Sequence, residues 1–387
     1  MRTEKLYETD SHLRAFSARV LSCTREPDGS RYRVMLDRSA FFPKEGGQEC
    51  DLGQIGTAQV EEVLILGGEL IHYTDAPVGG EVDCRLDWPR RFRNMQYHTG
   101  EHILSGLIHR EFGGENVGFH LGLSEVTCDF SLLLGEEQLE ELCRMANRVI
   151  AENRPVTAKI YQSLRDLEGI PYRSKLEIQQ DIRLVTIEGV DVCACCAPHV
   201  SFTGEIGMLS IVRAERIRQT TRLYLRCGAQ AIEDFLQKQG QLRQISALLK
   251  TPQSAAFEAV SELLGKNRKL SEEIGKLRRQ AVLSRLNDLP EKAETLVEWF
   301  EQADPADLMA FINEAKSRVT RLCAALTQRE DGSSFYVLFC PGEESGSFFR
   351  EANRVLGGKG GGKNGMAQGA FSASRQEITA YLENGHL

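Results

Sequence analysis

Two short segments, each pairing metal-binding side chains four residues apart, constrain this chain more than any other feature of its sequence. The first runs from His98 to His102 and the second, much later in the chain, from Cys195 to His199. Positions i and i+4 of a helix lie on one face, so His98 and His102 can point toward the same ion. The second pair would complete a tetrahedral site. The fold must therefore bring two distant segments together.

The ligand set indicates which metal to expect. Three imidazole nitrogens and one thiolate favour Zn²⁺ over Mg²⁺ or Ca²⁺, which prefer oxygen, and over an iron–sulfur cluster, which needs more sulfur. Either pair alone is more typical of hydrogen-bonded surface or core side chains. Together they predict one zinc ion per chain, bound by His98, His102, Cys195 and His199. A HExxH protease site is disfavoured, because Glu101 precedes the second histidine instead of following the first.

The composition predicts a soluble, multidomain protein of the cytoplasm. The 387 residues are 41% hydrophobic and 26% charged, without the apolar runs of a signal peptide or a membrane span. The eleven cysteines, an odd number, fit a reducing compartment, with Cys193 and Cys196 interpreted as bystander thiols. The net charge of −8 argues against indiscriminate coating of nucleic acid but allows a local basic patch. We expect no membrane partner.

The first 88 residues are predicted to form a small antiparallel β-barrel. Short β-type segments separated by Gly, Pro and Asp run from Ser17 to Asp83. Within them, Gly46 and Gly47 permit positive φ angles and close approach of the backbone to a ligand. The same two glycines are also typical of an ordinary hairpin turn, and both interpretations stay open.

Residues 89–212, which carry both metal-binding pairs, have an α+β pattern. A helix that contains His98 and His102 is expected to continue to about Arg110. A second helix is predicted over residues 136–152, because apolar residues recur there at helical spacing. Strands are expected between these helices and again before the cysteine-rich loop.

A basic segment and a helical hairpin are predicted over residues 213–290. Within fourteen residues the chain has five arginines against one acid, and they are Arg213, Arg216, Arg218, Arg222 and Arg226. This run is either a solvated face or a surface for nucleic acid. Two segments follow with apolar residues at alternating spacings of three and four, separated by Pro252. Because proline cannot continue a helix, we expect an antiparallel hairpin with Asn267 as a polar seam position that could set the register.

The last part, residues 291–387, has the pattern of a small α/β domain. One of its helices has a clear start, with Asp304 as N-cap before Pro305. Near the end, residues 357–370 contain seven glycines together with Lys359 and Lys363. A flexible linker is one interpretation. We favour a loop whose backbone N–H groups and lysines contact phosphate.

These residues together resemble the alanyl-tRNA editing proteins, which are free-standing relatives of the editing half of alanyl-tRNA synthetase. The resemblance covers nearly the whole chain. It rests on the residue groups Phe42-Pro43-Lys44-Glu45-Gly46-Gly47-Gln48, His98-x3-His102, Gly118-Phe119-His120, Cys195-x3-His199-Val200 and Thr203-Gly204-Glu205-Ile206-Gly207. The Gly-rich end is similar to the small C-terminal domain of the synthetase, shared with DHH-type phosphodiesterases. This makes the chain similar to the long, AlaX-like form of the family.

The resemblance implies a function in trans. The expected reaction is hydrolysis of the ester that joins a wrong amino acid, serine first and glycine second, to tRNA(Ala). Residues 89–212 would be a zinc-containing editing domain, and tRNA(Ala) would be the partner. A homodimer through the helical hairpin or the C-terminal domain is a further expectation. The synthetase motif usually has Thr directly before the second histidine, a residue thought to help select serine, where this chain has Glu101. The candidate catalytic residues are Glu101 and Gln48.

The expected substrate contacts lie beside the metal. The terminal adenosine and its phosphates are expected against Gly46 and Gly47 and against the arginines just before the metal helix, which are Arg90, Arg91 and Arg93. Lys359 and Lys363 are expected to bind tRNA as well. A zinc ion with an open position would lower the pKa of bound water to about 7. With four protein ligands it would instead hold the site in shape, while substrate groups or Glu101 activate a separate water.

Three other functions fit parts of the sequence. The first is editing of another mischarged tRNA such as Ser-tRNA(Thr), whose synthetase carries a related pair of ligand motifs. The second is a non-catalytic, zinc-containing tRNA-binding protein. The third is a phosphodiesterase, which the C-terminal domain alone suggests and which the lack of an Asp-His-His motif disfavours.

Overall fold

The computed structural model describes residues 3–174, 180–343 and 345–384. The chain divides into two compact units, Met1–Gln244 and Ile245–Leu387. The described residues form seven α-helices and several sheets, which confirms the prediction of a mixed α+β, multidomain protein. None of the described helices is both long and apolar enough to cross a membrane.

The first unit begins with a β-barrel. Its strands and a short parallel pair are β1 (Glu4–Lys5), β2 (Ala15–Arg25), β3 (Tyr32–Leu36), β4 (Arg38–Ser39), β5 (Gly53–Ile55), β6 (Ala58–Leu66), β7 (Glu69–Thr74) and β8 (Glu81–Leu86). Six of them close in the order β2-β3-β7-β6-β5-β8, and each pair is antiparallel. Buried side chains such as Val34, Leu36 and Val63 fill the interior. The strands expected between residues 17 and 83 thus form a closed barrel.

The remainder of the first unit is built around one central helix. Its elements are α1 (Trp88–Phe112), β9 (Asn116–Leu121), β10 (Val126–Phe130), α2 (Glu136–Ala151), β11 (Val156–Ser163), β12 (Gln180–Ile187), β13 (Asp191–Ala194), β14 (Leu209–Ile217) and β15 (Thr220–Cys227). Two sheets result, with strand orders β14-β15-β10-β9 and β11-β12-β13. Apolar side chains of α1, α2 and the four-stranded sheet share one hydrophobic core.

Local signals define α1 at both ends. The Asp87 side chain accepts a hydrogen bond from the backbone N–H of Arg90 at 3.2 Å, and Pro89 lies in the first turn. Gly113 ends the helix with φ +68°, a conformation that glycine adopts without steric cost. The helix is buried on nearly every side from Arg91 to Ile108. Its polar residues must therefore find partners inside the protein.

Four arginines of the run lie on strands β14 and β15, and Arg218 lies in the turn between them. Buried Leu223 and Leu225 face the core of the first unit, while Arg222 alternates with them on the opposite face of β15. Arg222 forms an ion pair with Asp129 at 2.7 Å. Arg213 pairs with Glu215 at 3.0 Å. The predicted domain boundary between residues 212 and 213 falls inside β14.

The two predicted helical segments are α3 (Ala229–Leu249) and α4 (Ala256–Ser284), separated by residues that include Pro252. On α4, the apolar residues at alternating spacings of three and four are all exposed: Val260, Leu263, Leu270, Ile274 and Leu277. Asn267 occupies one position of this stripe. The pairing of α3 with α4 in an antiparallel hairpin stays a prediction.

The second unit ends in the small α/β domain that its pattern predicts. It contains β16 (Ala293–Phe300), α5 (Pro305–Ala315), β17 (Val319–Gln328), β18 (Ser334–Phe339), α6 (Ser345–Val355), β19 (Lys359–Lys363), β20 (Met366–Phe371) and α7 (Arg375–Asn384). The strand order is β16-β17-β18-β20-β19. Asp304 is the N-cap of α5, as predicted, and Pro305 follows it.

The glycine-rich segment is largely a β-hairpin, so the prediction of a loop over residues 357–370 is wrong. Strand β19 pairs with β20 at the edge of the sheet, with Gly360 opposite Gly369. A Cβ atom on Gly360 would lie 2.3 Å from the hydroxyl of Tyr336. The lack of a side chain at Gly360 therefore lets the strand lie close to Tyr336.

Candidate metal centre

The two ligand pairs meet in the first unit. Helix α1 presents His98 and His102, and the turn after β13 presents Cys195 and His199. The Sγ atom of Cys195 lies 3.5 Å from Nε2 of His98 and 3.4 Å from Nε2 of His199. One donor atom from each of the four residues lies within 4.8 Å of the others. The three histidines are buried and Cys195 is partly exposed.

These distances fit a tetrahedral ion. A zinc ion with ordinary Zn–S and Zn–N bond lengths holds its sulfur and nitrogen ligands about 3.5 Å apart. The two sulfur–nitrogen distances at the site are 3.5 Å and 3.4 Å. Since the donor set is three nitrogens and one sulfur, the residues are consistent with zinc in chemistry and in geometry.

Each histidine is oriented by a second protein group behind it. Nδ1 of His98 donates to the side-chain oxygen of Gln48 at 3.0 Å. Nδ1 of His102 lies 3.0 Å from a carboxylate oxygen of Asp191, and Nδ1 of His199 lies 3.0 Å from the hydroxyl of Thr99. Because Nδ1 faces a protein group in all three rings, Nε2 is left to face a metal ion.

The barrel supplies one of these supports through a close contact with β9. Gln48 follows Gly47, whose carbonyl accepts a hydrogen bond from the backbone N–H of Leu121 at 2.7 Å. Gly47 has φ +79°, and a Cβ atom there would lie 2.3 Å from the carbonyl oxygen of Phe119. The close approach predicted for Gly47 is therefore made with the protein's own backbone. It places Gln48 against His98.

A cavity of about 700 Å³ opens beside three of the four candidate ligands, His98, His102 and Cys195. Its wall includes Gly46, Phe119, Glu101 and Arg183. Glu101 is buried, and its Oε1 atom accepts hydrogen bonds from Ser105 at 2.6 Å and from Asn116. Its other oxygen, Oε2, lies 3.8 Å from Nε2 of His102. A ligand of nucleoside size thus has room to reach both the candidate metal ligands and the carboxylate of Glu101.

Comparisons with known proteins show which proteins this chain is similar to. The family described as "Threonyl and Alanyl tRNA synthetase second additional domain" matches residues 182–224, which include Cys195 and His199. Alanyl-tRNA editing protein AlaX-L of Pyrococcus horikoshii is 27% identical to this chain over 97% of the chain and 96% of the relative. Alanyl-tRNA editing protein Aarsd1 of Rattus norvegicus is 28% identical over 98% of the chain and 97% of the relative. The resemblance to alanyl-tRNA editing proteins is confirmed.

The similarity extends to alanine–tRNA ligases over part of their length. The enzyme of Pyrococcus abyssi is 28% identical over 95% of this chain, but the chain spans only 42% of that relative. The chain thus matches editing proteins of its own length from end to end and matches a section of the longer ligases.

The electrostatic environment of the four candidate ligands favours metal binding. Burial raises the pKa of a thiol, but His98 and His199 outweigh it and hold the pKa of Cys195 well below its usual value. Burial lowers the pKa of His199 to about 3. Burial also opposes a charge on His102, but Asp191 and Cys195 raise the pKa of His102 well above its usual value. A ready thiolate and a neutral His199 suit metal ligation, whereas His102 must release a proton when a metal binds.

Gln48 lies behind His98, where it can position the imidazole, and its catalytic role stays a prediction. We predict that Gln48→Ala raises the dissociation constant for zinc by about tenfold to a hundredfold, because the imidazole loses the acceptor that sets its tautomer. Competition with a chromogenic chelator measures this constant. Gln54→Ala, on the exposed side of β5, is the matched control. Equal zinc affinity of the two variants would contradict the role of Gln48.

The structure encloses Arg91 among protein groups, which argues against its predicted contact with phosphate. Its side chain is 0% exposed and pairs with buried Asp51, with Nε to Oδ2 at 2.8 Å. It also donates to the backbone carbonyls of Ser11, at 3.0 Å, and Ala40. A guanidinium enclosed in this way has no surface for a phosphate. It joins α1 to the barrel instead.

The other predicted substrate contacts have different surroundings. Gly46 lines the cavity. Arg93 is half-buried, donates to the carbonyl of Gly122 at 2.9 Å and lies 4.7 Å from the ring centre of Tyr97. Lys359 and Lys363 are exposed on the edge strand of the second unit. Substrate contacts by these four residues stay predictions.

Several residues that shape the site have no motif of their own. Thr99 and Asp191 orient metal ligands, and only their position next to the ligand segments points to them. Cys193, first considered a bystander, lies with His102 and Asp191 in a second group of metal-type side chains within 4.8 Å. Arg173 holds Asp191 through two hydrogen bonds of 2.8 and 2.9 Å. Arginine and aspartate far apart in sequence give no signal of such a pair.

Proposed function

We propose that this chain is a trans-acting editing hydrolase that deacylates mischarged Ser-tRNA(Ala), and to a smaller extent Gly-tRNA(Ala), with one Zn²⁺ bound by His98, His102, Cys195 and His199. The observation that carries the proposal is the buried group of four donors beside a cavity of about 700 Å³. The end-to-end similarity to alanyl-tRNA editing proteins supports the choice of an aminoacyl-tRNA ester as substrate.

The chemistry divides between the ion and the chain's own residues. When bound, zinc supplies a Lewis acid that polarises an ester carbonyl or lowers the pKa of a water molecule. Gln48, Asp191 and Thr99 hold the imidazoles so that one nitrogen of each faces the ion. Four protein ligands fill a tetrahedral sphere, so water attack on the ester then needs a separate proton acceptor. Glu101 is the carboxylate nearest to the ligands that also faces the cavity.

Glu101 is also suited to select the seryl side chain. Ser105 and Asn116 hold one of its oxygens, so the carboxylate has a defined orientation and the other oxygen faces the metal ligands. The hydroxyl group of the seryl side chain can donate a hydrogen bond to this oxygen, whereas the methyl side chain of alanine has no donor. A site that hydrogen-bonds a hydroxyl rejects the analogue without it, because its own polar group then stays unpaired.

We predict that Glu101→Ala lowers the preference for Ser-tRNA(Ala) over Ala-tRNA(Ala) by about tenfold to a hundredfold, the loss expected for one hydrogen bond to a charged group. The ratio of kcat/KM values for the two substrates measures it. Glu101→Thr is the matched variant, because it restores a hydroxyl of the family type and should keep most of the preference. Zinc content and tRNA affinity should change little in both. An unchanged substrate ratio in Glu101→Ala would exclude this role.

A panel of four substrates tests the proposed function directly. The purified protein is incubated with Ser-tRNA(Ala), Gly-tRNA(Ala), Ala-tRNA(Ala) and Ser-tRNA(Thr), and the loss of each ester is followed. We expect Ser-tRNA(Ala) to be hydrolysed fastest and Ala-tRNA(Ala) slowest. Faster hydrolysis of Ser-tRNA(Thr) would assign the protein to another tRNA. Tight tRNA binding with no hydrolysis would make it a tRNA-binding protein with a structural metal.

The second unit is proposed to contribute tRNA affinity. Lys359 and Lys363 extend from an exposed edge strand rich in glycine, where side chains and bare backbone can meet phosphate groups. A homodimer through the exposed stripe of α4 or through the C-terminal domain is proposed as well. The oligomeric state must therefore be measured on each variant before a change in affinity is assigned to phosphate contacts.

We predict that Lys359→Ala combined with Lys363→Ala weakens tRNA(Ala) binding and reduces the slope of log affinity against log salt. Each lost phosphate contact removes close to one released counterion, so the slope should fall by about 1 to 2. Filter binding over a range of salt concentrations gives both quantities. Lys316→Ala, an exposed lysine at the end of α5, is the control. A slope equal to that of the wild type would show that the two lysines do not contact phosphate.

A further inference from the structure

One buried cation in the cavity wall has no carboxylate partner among the residues that the structure describes. Arg183 of β12 is 6% exposed. Its Nη1 atom donates to the carbonyls of Cys195 and Ala197, both at 2.9 Å, and Nε donates to the carbonyl of Glu8 at 3.2 Å. Within residues 3–174, 180–343 and 345–384, no acidic side chain forms an ion pair with it. The guanidinium thus holds the turn that carries Cys195, and no described carboxylate neutralises it through an ion pair.

The other cations of the same cavity are neutralised. Lys5 pairs with Glu8 at 3.3 Å, and Arg173 pairs with Asp191 at 2.8 Å. A buried charge without a counter-charge is costly, and carbonyl dipoles offset that cost only in part. Arg183 is therefore a position in the cavity wall where an incoming negative charge can be stabilised.

The guanidinium also has a donor left for such a charge. Arginine has five N–H groups, and the three protein carbonyls engage Nε and Nη1 only. No described protein group accepts a hydrogen bond from Nη2. An anionic oxygen can bind there without displacing the bonds that hold the ligand-bearing turn.

We propose that Arg183 forms an anion subsite in the cavity, in which Nη2 binds an anionic oxygen of the ligand while Nε and Nη1 fix the turn that carries Cys195. The inference rests on the proposed function. In an aminoacyl ester the amino acid has no free carboxylate, so the anionic oxygen before hydrolysis belongs to the phosphate next to the terminal nucleoside. After hydrolysis the carboxylate of the released amino acid offers the same chemistry.

Binding measurements on the zinc-loaded full chain test this subsite without any hydrolysis. Isothermal titration compares adenosine 5′-monophosphate with adenosine, which lacks the phosphate. It also compares serine with 2-amino-1,3-propanediol, which keeps the ammonium and hydroxyl groups but lacks the carboxylate. The variants are Arg183→Gln, which keeps N–H donors without the charge, and Arg183→Lys, which keeps the charge. Lys5→Met removes a paired cation of the same cavity and serves as the control.

We expect the wild type to bind the anionic member of at least one pair roughly tenfold or more tightly, as for one charge-assisted hydrogen bond. The preference should disappear in Arg183→Gln, persist in part in Arg183→Lys and stay unchanged in Lys5→Met. The pair that responds identifies phosphate or carboxylate as the source. Equal binding within both pairs in the wild type, or a preference that survives in Arg183→Gln, overturns the proposal.

A crystal structure of the wild-type protein with adenosine 5′-monophosphate tests the subsite without a variant. A phosphate oxygen should lie within hydrogen-bond distance of Nη2 of Arg183. A second structure, with serine, shows whether a carboxylate oxygen binds at Nη2 instead. If neither the phosphate nor the carboxylate contacts Nη2, the assignment is contradicted. The two proposals fail separately. An Arg183-dependent preference for anions without deacylation would refute the proposed hydrolysis and support the anion subsite. Deacylation without that preference would support the hydrolysis and refute the subsite.

Discussion

Replacing Cys195 with alanine should remove most of the bound zinc and lower the rate of Ser-tRNA(Ala) hydrolysis by at least about a hundredfold. A metal ion contributes several kcal/mol to charge stabilisation in such a reaction, and Cys195 supplies the only thiolate of the group of four donors. The neighbouring histidines keep its pKa low, so its loss removes the negative charge that the ion needs. Metal content by atomic emission and single-turnover deacylation measure the two effects.

Cys196→Ala is the matched control for this experiment. Burial raises the pKa of Cys196 to about 12, so that thiol stays neutral, and its side chain packs against the barrel core. This variant should keep zinc and activity. Full zinc occupancy in Cys195→Ala would reassign the ligand, and Cys193 would be the first candidate because it lies with His102 and Asp191 in the second group of metal-type side chains.

Arg91→Met should destabilise the first unit by about 3–5 kcal/mol, the cost of leaving one member of a buried ion pair without its partner. Asp51 is 1% exposed and pairs with Arg91. Besides that pair it has one backbone donor, Phe42 at 2.8 Å. Loss of the guanidinium also leaves the carbonyls of Ser11 and Ala40 without their donor. The urea midpoint of the first unit, followed by tryptophan fluorescence of Trp88, measures the change.

The comparison variant is Arg144→Ala on the exposed side of α2. Arg144 pairs with Glu141 at 2.9 Å in a solvent-exposed ion pair, and such pairs contribute little. Its loss should leave the urea midpoint unchanged. If Arg91→Met kept a wild-type midpoint and instead weakened tRNA binding, Arg91 would be a substrate contact after all. Recovery of stability in the double variant Arg91→Met with Asp51→Leu would confirm that the unpaired charge is the cause.

Local sequence patterns were sufficient for most of the secondary structure. The N-cap, first-turn proline and terminal glycine define α1 from adjacent residues. Alternating apolar residues define the barrel strands. Such signals fail where packing decides between two local conformations. The Gly-rich end has no side chains to alternate, so nothing in its pattern distinguishes a phosphate-binding loop from the edge hairpin that Gly360 forms with Gly369.

Of the candidate site, the sequence predicted only the four candidate ligands. A spacing of four residues within each pair, and the chemistry of imidazole and thiolate, identify His98, His102, Cys195 and His199 without any structure. The groups that support them could not be found this way. Gln48 contacts a residue fifty positions away, and nothing in a sequence indicates that an amide and an imidazole so far apart will lie within hydrogen-bond distance.

By itself, then, the sequence determined the candidate metal ligands, the barrel and helix patterns and the resemblance to editing proteins, because each depends on residues close together in the chain. The tertiary structure decided which charged side chains are buried in ion pairs and which line the cavity. Arg91 and Arg183 look alike in the sequence, yet Arg91 is enclosed with Asp51, whereas Arg183 lines a cavity and has no carboxylate partner in the described part of the chain. The physical reason is that burial and counter-charge, which fix the energy of an ionised side chain, are set by distant segments that only the fold brings together.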